Sequence, residues 1–204
     1  LKRLEYRGYD SAGIALLAPD RKTVKVHKTA GKVSKLVERV QGKALRGHVG
    51  IAHTRWATHG KPTNANAHPH NSGGQIAIVH NGIIENFEKL REKLTKSGYQ
   101  FATQTDSEVI AHLIHLERKG KKVSLFDATQ KAIRRLEGAY GICVADAATP
   151  DELIVARSGS PLVIGVGIGE NFVASDPHAL GQVTDQFVYL EEGDIARITR
   201  ENYE

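Results

Sequence analysis

Between residues 53 and 82 the chain concentrates groups able to do chemistry. His53, His59, His68, His70 and His80 all fall in this stretch. Clustered imidazoles first suggest a metal centre. No Asp, Glu or Cys lies between His53 and Ile84, however, and no His-Glu-x-x-His helical pair occurs. The imidazoles therefore read as structural or substrate-contacting groups, and no metal is expected. Arg55 stands beside Trp56 with the hydroxyls of Thr54 and Thr58 close by. A guanidinium so placed either stacks on the indole at the surface or receives a carboxylate with its planar fork. Asn81-Gly82 ends an apolar run, as a tight turn or as an oxyanion hole made from the Asn amide and the Gly N–H. The residues that follow lead into a helical pattern, which favours the second. Asp106 opens a helix, either as a simple helix start or as the partner of an ammonium group. Together Arg55, Asp106, Asn81 and Gly82 outline a site for an amino acid. They bring no nucleophile: Cys143 lies within an apolar strand pattern and reads as inert core.

These groups need elements to hold them. Apolar patterning predicts a loop entering a buried strand over 9–17 and strands over 23–27, 49–53, 75–80 and 99–103, with a turn at 19–21 and a long structured loop over 54–74. Helical spacing covers 32–40 and 86–97, the latter stopped by Gly98. Thr105 with Glu108 forms a capping box for a helix reaching Leu116, and a further helix spans 124–136, closed by Gly138. Short strands follow at 140–145, 153–156, 162–166, 172–174, 186–190 and 194–198. Helices central in the chain with strands on either side give an α+β fold of helices covering stacked antiparallel sheets.

Composition narrows the class. The chain has 204 residues, one Cys and a net charge of +5. An internal disulfide is excluded, and no apolar run reaches the roughly 18–20 residues of a membrane helix. The basic run Arg118-Lys119-Gly120-Lys121-Lys122 lacks interleaved aromatics and reads as a solvated loop, so neither nucleic acid nor membrane is expected as a partner. Nothing at the start resembles a signal peptide, which points to the cytoplasm. Residues 1–7 read as the end of a helix stopped by Gly8, and the sequence has no Met. A fragment lacking its true N-terminus is therefore expected.

Five strings carry a resemblance: Arg7-Gly8-Tyr9-Asp10-Ser11-Ala12-Gly13, His53-Thr54-Arg55-Trp56-Ala57-Thr58-His59-Gly60, His80-Asn81-Gly82-Ile83-Ile84-Glu85-Asn86, Thr105-Asp106-Ser107-Glu108 and Arg157-Ser158-Gly159-Ser160-Pro161-Leu162. Over the whole length the chain resembles the glutaminase domain of the glucosamine-6-phosphate synthase (glutamine–fructose-6-phosphate aminotransferase) family, a class II glutamine amidotransferase of the N-terminal-nucleophile hydrolase type. The resemblance implies a four-layer α/β/β/α sandwich and hydrolysis of L-glutamine to glutamate and ammonia, without a cofactor. The ammonia would pass to a sugar-phosphate isomerase domain of the same full-length chain, through which the protein would dimerise. Arg55 would hold the glutamine carboxylate and Asp106 its amino group. Thr58 and His59 would line the site, Trp56 would guard the ammonia route, and Arg7 would steady the catalytic end of the chain, with His68 and His80 in support. Asn81 and Gly82 would form the oxyanion hole. The family's nucleophile is an N-terminal Cys whose α-amine acts as base, and that segment and the isomerase domain are both expected to lie outside these 204 residues. Rival expectations are another class II amidotransferase or a non-catalytic glutamine-binding fragment.

Overall fold

The computed structural model describes residues 1–17 and 23–204; the turn expected at 19–21 lies outside them. A five-stranded antiparallel sheet occupies the middle of the protein. Its order is β11 (Ile195–Thr199), β7 (Glu152–Ser158), β6 (Gly138–Asp146), β5 (Ile76–Ile84) and β4 (His70–Ser72). One face carries Ile76, Ile78, Ile142, Val144 and Ile154 against α2 (Phe87–Lys96), α3 (Glu108–Arg118) and α4 (Leu125–Ile133). Period-two alternation turns Ala77, Cys143, Ala145 and Val155 to the other face. There they meet two three-stranded sheets lying in one layer. One is β2 (Val24–Ala30), β1 (Ser11–Leu17) and β3 (Gly50–Arg55); the other is β10 (Phe187–Tyr189), β8 (Val163–Val166) and β9 (Asn171–Ala174). Ala12 and Ile14 on the outer face of β1 pack on Val33 and Leu36 of α1 (Val33–Val40). The layers are thus α/β/β/α, with the second β layer divided between β3 and β9.

Several boundaries differ from those read in the sequence, each for a physical reason. Residues 99–103 form no strand, because the N–H groups of Ala102 and Thr103 donate to the Glu108 carboxylate at 2.9 and 2.8 Å. Burial pushes that carboxyl up, but hydrogen bonds from His112, Thr103 and the two N–H groups outweigh it and hold it at about 2. Glu108 therefore does not close a capping box on Thr105, and α3 begins at Glu108 itself. The loop expected over 54–74 is shorter: β3 runs through Arg55, and β4 pairs His70–Ser72 with Ile76–Ile78. The strand expected to stop at residue 80 continues to Ile84, because β6 supplies partners as far as Gly138. Gly138 consequently opens a strand rather than closing a helix. Val37 of α1 faces solvent.

Arg118 also departs from expectation. Instead of lying in a solvated loop, it ends α3 and donates from Nε and Nη2 to Asp146 Oδ2 at 2.9 and 2.6 Å. Asp146 is fully buried and also accepts from Gln75 Nε2 and the Ala148 N–H. Removing one partner of such a pair leaves an uncompensated buried charge, at a cost of roughly 3–5 kcal/mol. Arg118→Ala should therefore lower the urea midpoint by that equivalent with an unchanged m-value. A loss below about 1 kcal/mol would mean the pair is solvated after all.

Candidate active site

The gap between the β3 and β9 edges is a cleft of ≈ 560 Å³. Residues of β5 and β6, among them Val79, Asn81, Gly82, Gly141 and Cys143, line it together with both edges. A larger groove of ≈ 1010 Å³ lies between the start of α4 and β11. It gathers no comparable chemistry, since its Arg197 is committed to Glu152 and Glu204.

Arg55, at the end of β3, is the buried cation of the cleft. Its Nη2 donates to the carbonyls of His59 and of Gly60, the latter at 3.1 Å. Its Nη1 is buried with no hydrogen-bond partner among the described residues. Burial lowers its pKa, while the Asp106 and Asp10 carboxylates push it back up. Asp10 also fixes the adjoining turn: its N–H donates to the Arg55 carbonyl at 3.0 Å and its Oδ2 accepts from the Ala57 N–H at 2.8 Å. Asp106, buried just before α3, accepts from the Ile84 N–H at 2.8 Å and from the Ser107 hydroxyl at 3.4 Å. Thr58 and Trp56 line the cleft; Trp56 is 57% exposed and meets Tyr9 edge-on at 5.4 Å. His59 does not line it: its ring packs edge-on against Phe87, and only its carbonyl reaches Arg55. Arg7 lies at the β9 side, where Nη1 donates to the Ser175 carbonyl at 3.3 Å and stands 3.9 Å from Asp176.

Asn81 and Gly82 sit within β5, opposite Gly141 and Tyr140. Gly82 has φ +126, and a Cβ there would lie 2.1 Å from the Ala139 carbonyl oxygen, so no other residue fits. Asn81 Oδ1 is 2.9 Å from His53 Nε2. The His53 ring stacks on His68 at 4.3 Å. His68 in turn accepts from the His80 N–H through Nδ1 and lies 3.4 Å from Ser107 Oγ through Nε2. His80 Nδ1 is 2.8 Å from the same hydroxyl, and His70 Nε2 is 3.2 Å from Thr105 Oγ1. The loop carrying His68 is held from behind by Lys28, whose ammonium donates to the carbonyls of Ala65, Ala67 and Pro69. Burial pushes that ammonium down to about 8. Gly13 lets β1 approach this loop, since a Cβ would lie 2.1 Å from the His68 carbonyl oxygen. Asp10, Lys28 and Ser107 escaped attention as site residues because each acts through backbone groups or imidazoles distant in sequence. Only the position of Asp10 and Ser107 within the recurrent strings hinted at them.

Burial holds His53 at about 4 and keeps His68, His70 and His80 below the ordinary imidazole range. Their folded pKa values lie below the unfolded value of 6.5, so between the two the unfolded chain binds more protons. The stability they confer is complete above about pH 6.5 and is lost progressively as pH falls below it, for His53 through about 4. Glu108 contributes only below its ordinary value of 4.5, so the interval above that reports on the imidazoles, with His27 and His115, also lowered by burial, adding to the four. Urea denaturation should show unfolding free energy dropping from pH 7 to pH 4.5; a flat profile would mean these imidazoles are protonated in the fold.

A family model described as a glutamine amidotransferase domain matches residues 53–182. The chain is 62% identical to the glutamine–fructose-6-phosphate aminotransferase [isomerizing] of Idiomarina loihiensis, over 98% of this chain and 32% of that protein. It is 60% identical to the Pseudomonas putida protein of the same name, over 98% and 33%. It thus spans about a third of the length of the curated relatives it matches. A solved glutamine phosphoribosylpyrophosphate amidotransferase from B. subtilis, complexed with ADP and GMP, superposes with a TM-score of 0.80 at 27% identity, covering 99% of this chain and 44% of that one. A class II glutamine aminotransferase domain protein from Silicibacter pomeroyi shares the fold at 18% identity, with a TM-score of 0.67 over 97% and 94%. Among the described residues no helix is long and apolar enough to cross a membrane. With its matched region covering more than half of its length, and most of its cleft built from that region, the chain belongs to the glutamine amidotransferase domain family.

Proposed function

We propose that the cleft binds L-glutamine and that the chain is the glutamine-hydrolysing part of a cytoplasmic glutamine–fructose-6-phosphate aminotransferase. The observation that carries this reading is the unpartnered, buried Nη1 of Arg55. A buried charged donor without an acceptor is costly, and a ligand carboxylate recovers that cost through a charge-assisted hydrogen bond. Asp106 then takes the α-ammonium, which leaves the side-chain amide to reach Asn81 and Gly82. The nucleophile comes from an extended segment ahead of Leu1, carrying an N-terminal Cys. Two observations support this. The unpaired edges of β3 and β9 face one cleft and would both pair with such a strand. The sequence's one cysteine, Cys143, has its thiol pushed up to about 12 by burial, which leaves no thiolate near neutrality.

On this reading the N-terminal α-amine takes the thiol proton as sulfur attacks the glutamine amide carbon. The oxygen of the tetrahedral adduct becomes an oxyanion facing the Asn81 amide and the Gly82 N–H. The N-terminal ammonium then returns its proton to the substrate amide nitrogen, the carbon–nitrogen bond breaks, that nitrogen leaves as ammonia, and water hydrolyses the resulting thioester to glutamate and restores the thiol. Ammonia passes by Trp56 to a sugar-phosphate isomerase domain of the same polypeptide, through which the enzyme dimerises.

Two measurements in the full-length enzyme test the reading. Asn81→Ala should lower glutaminase kcat by roughly 10²–10³ with KM little changed, because the donor acts on charge that develops only in the transition state. Unchanged turnover per folded molecule would reduce Asn81 to a structural residue. For the binding assignment, a nucleophile-inactivated form is titrated calorimetrically with glutamine, its decarboxylated analogue and its deaminated analogue. Arg55→Ala should bind glutamine and the decarboxylated analogue nearly equally while still preferring the α-amine; Asp106→Ala should show the reverse. Each matched pair should show a coupling of about 1.5–3 kcal/mol. Coupling near zero for both would remove the amino-acid site.

A further inference from the structure

From the contact between β3 and β5 we infer that His53 is a positioning residue for catalysis: its Nε2–H locks the Asn81 side-chain amide so that the NH₂ group, not the carbonyl, faces the cleft. The inference rests on the oxyanion reading of Asn81 given above. A carboxamide has two chemically opposite ends on a terminal torsion that is broad and nearly two-fold. One end donates to an oxyanion; the other presents a partial negative charge and repels it. Something must decide between them before substrate arrives, because stabilisation of developing charge depends on donors already in place.

The 2.9 Å contact between His53 Nε2 and Asn81 Oδ1 makes that choice. The amide oxygen can only accept, so in a neutral imidazole Nε2 carries the hydrogen and Nδ1 is bare. Nδ1 is indeed buried with no hydrogen-bond partner among the described residues. That unsatisfied lone pair is a local cost that a purely structural histidine would avoid by turning its ring or finding a donor. The ring cannot turn freely, since it is stacked on His68 at 4.3 Å with an interplanar angle of 26°. His68 is itself fixed by the N–H of His80, the residue preceding Asn81, so the support and the supported amide share one strand. His80 cannot replace His53, because its ring nitrogens face Ser107 Oγ at 2.8 Å and the Ala139 carbonyl at 3.5 Å. Across the sheet, His53 is held in register by Gly13 of β1.

The test uses steady-state glutaminase kinetics of the full-length enzyme, with kcat normalised to active-site titration. Phe at position 53 keeps a flat ring on His68 but offers no N–H; Gln reaches the Nε2 position with an amide donor; Asn stops at the Nδ1 position. His53→Phe and His53→Asn should each lower kcat roughly 10- to 100-fold with KM within about threefold, and His53→Gln should recover most of the loss. Added to Asn81→Ala, His53→Phe should cost less than about threefold more, since the group it positions is gone. If His53→Phe does not fold, the contrast between His53→Gln and His53→Asn carries the test. Equal turnover in those two variants, losses that multiply in the double variant, or a rise in KM at constant kcat would overturn the proposal. Should Asn81→Ala itself keep full turnover, the oxyanion reading falls with it. If Asn81→Ala loses turnover but the position-53 variants do not, His53 alone is misassigned.

Discussion

Burying a guanidinium costs several kcal/mol unless acceptors replace its water, and the fold gives Arg55 acceptors for Nη2 while leaving Nη1 bare. Much of the local architecture follows from holding that group in place. Asp10 binds the Arg55 carbonyl and the Ala57 N–H, so the turn after β3 cannot relax to let the side chain out. The carbonyls of His59 and Gly60 fix the orientation of the planar fork. Asp106 and Asp10 supply negative charge that offsets burial. What remains is a donor site of defined direction, short of one acceptor.

The second constraint is the divided β layer. The five-stranded sheet is sealed on its helical face by large aliphatic side chains, while opposite the cleft it presents small ones, Ala77, Cys143 and Ala145. Small residues there let two three-stranded sheets pack closely and still leave room between β3 and β9. An open sheet edge is ordinarily a liability that a protein covers or charges. Two such edges facing each other across polar side chains are better understood as a socket for an extended segment, and the glutaminase reading gives that segment its chemistry.

Helices and buried strands were legible in the sequence because their apolar period is local. α2 and α4 lie within a few residues of their expected bounds, and the grouping of Arg55, Asp106, Asn81 and Gly82 around one cleft was legible from side-chain chemistry. Errors fell where tertiary partners decided the outcome. Residues 99–103 have the aromatic and β-branched content of a strand, yet their N–H groups go to a carboxylate several residues ahead. Glu108 has the spacing of a capping box but finds better donors elsewhere. Arg118, in a run of basic residues, found Asp146 across the fold. His59 matches a site motif while directing its ring to Phe87. Lys28 gave no signal, since a lysine that serves three carbonyls of a distant loop looks like any other strand lysine.

The histidine cluster shows how buried imidazoles can hold a site together through one another and through hydroxyls. Packed among one another and paired with Ser107, Thr105 and Asn81, they form a polar scaffold that burial keeps neutral. Neutrality matters most at His80. Asp106 favours its protonation, and burial outweighs that pull. Were His80 cationic, its charge would compete with any ammonium for the same carboxylate at close range and low dielectric. By excluding the proton from the imidazole, the fold keeps a competing cation away from Asp106. The same burial makes the scaffold acid-sensitive, so stability at low pH and charge selectivity in the cleft have one physical origin.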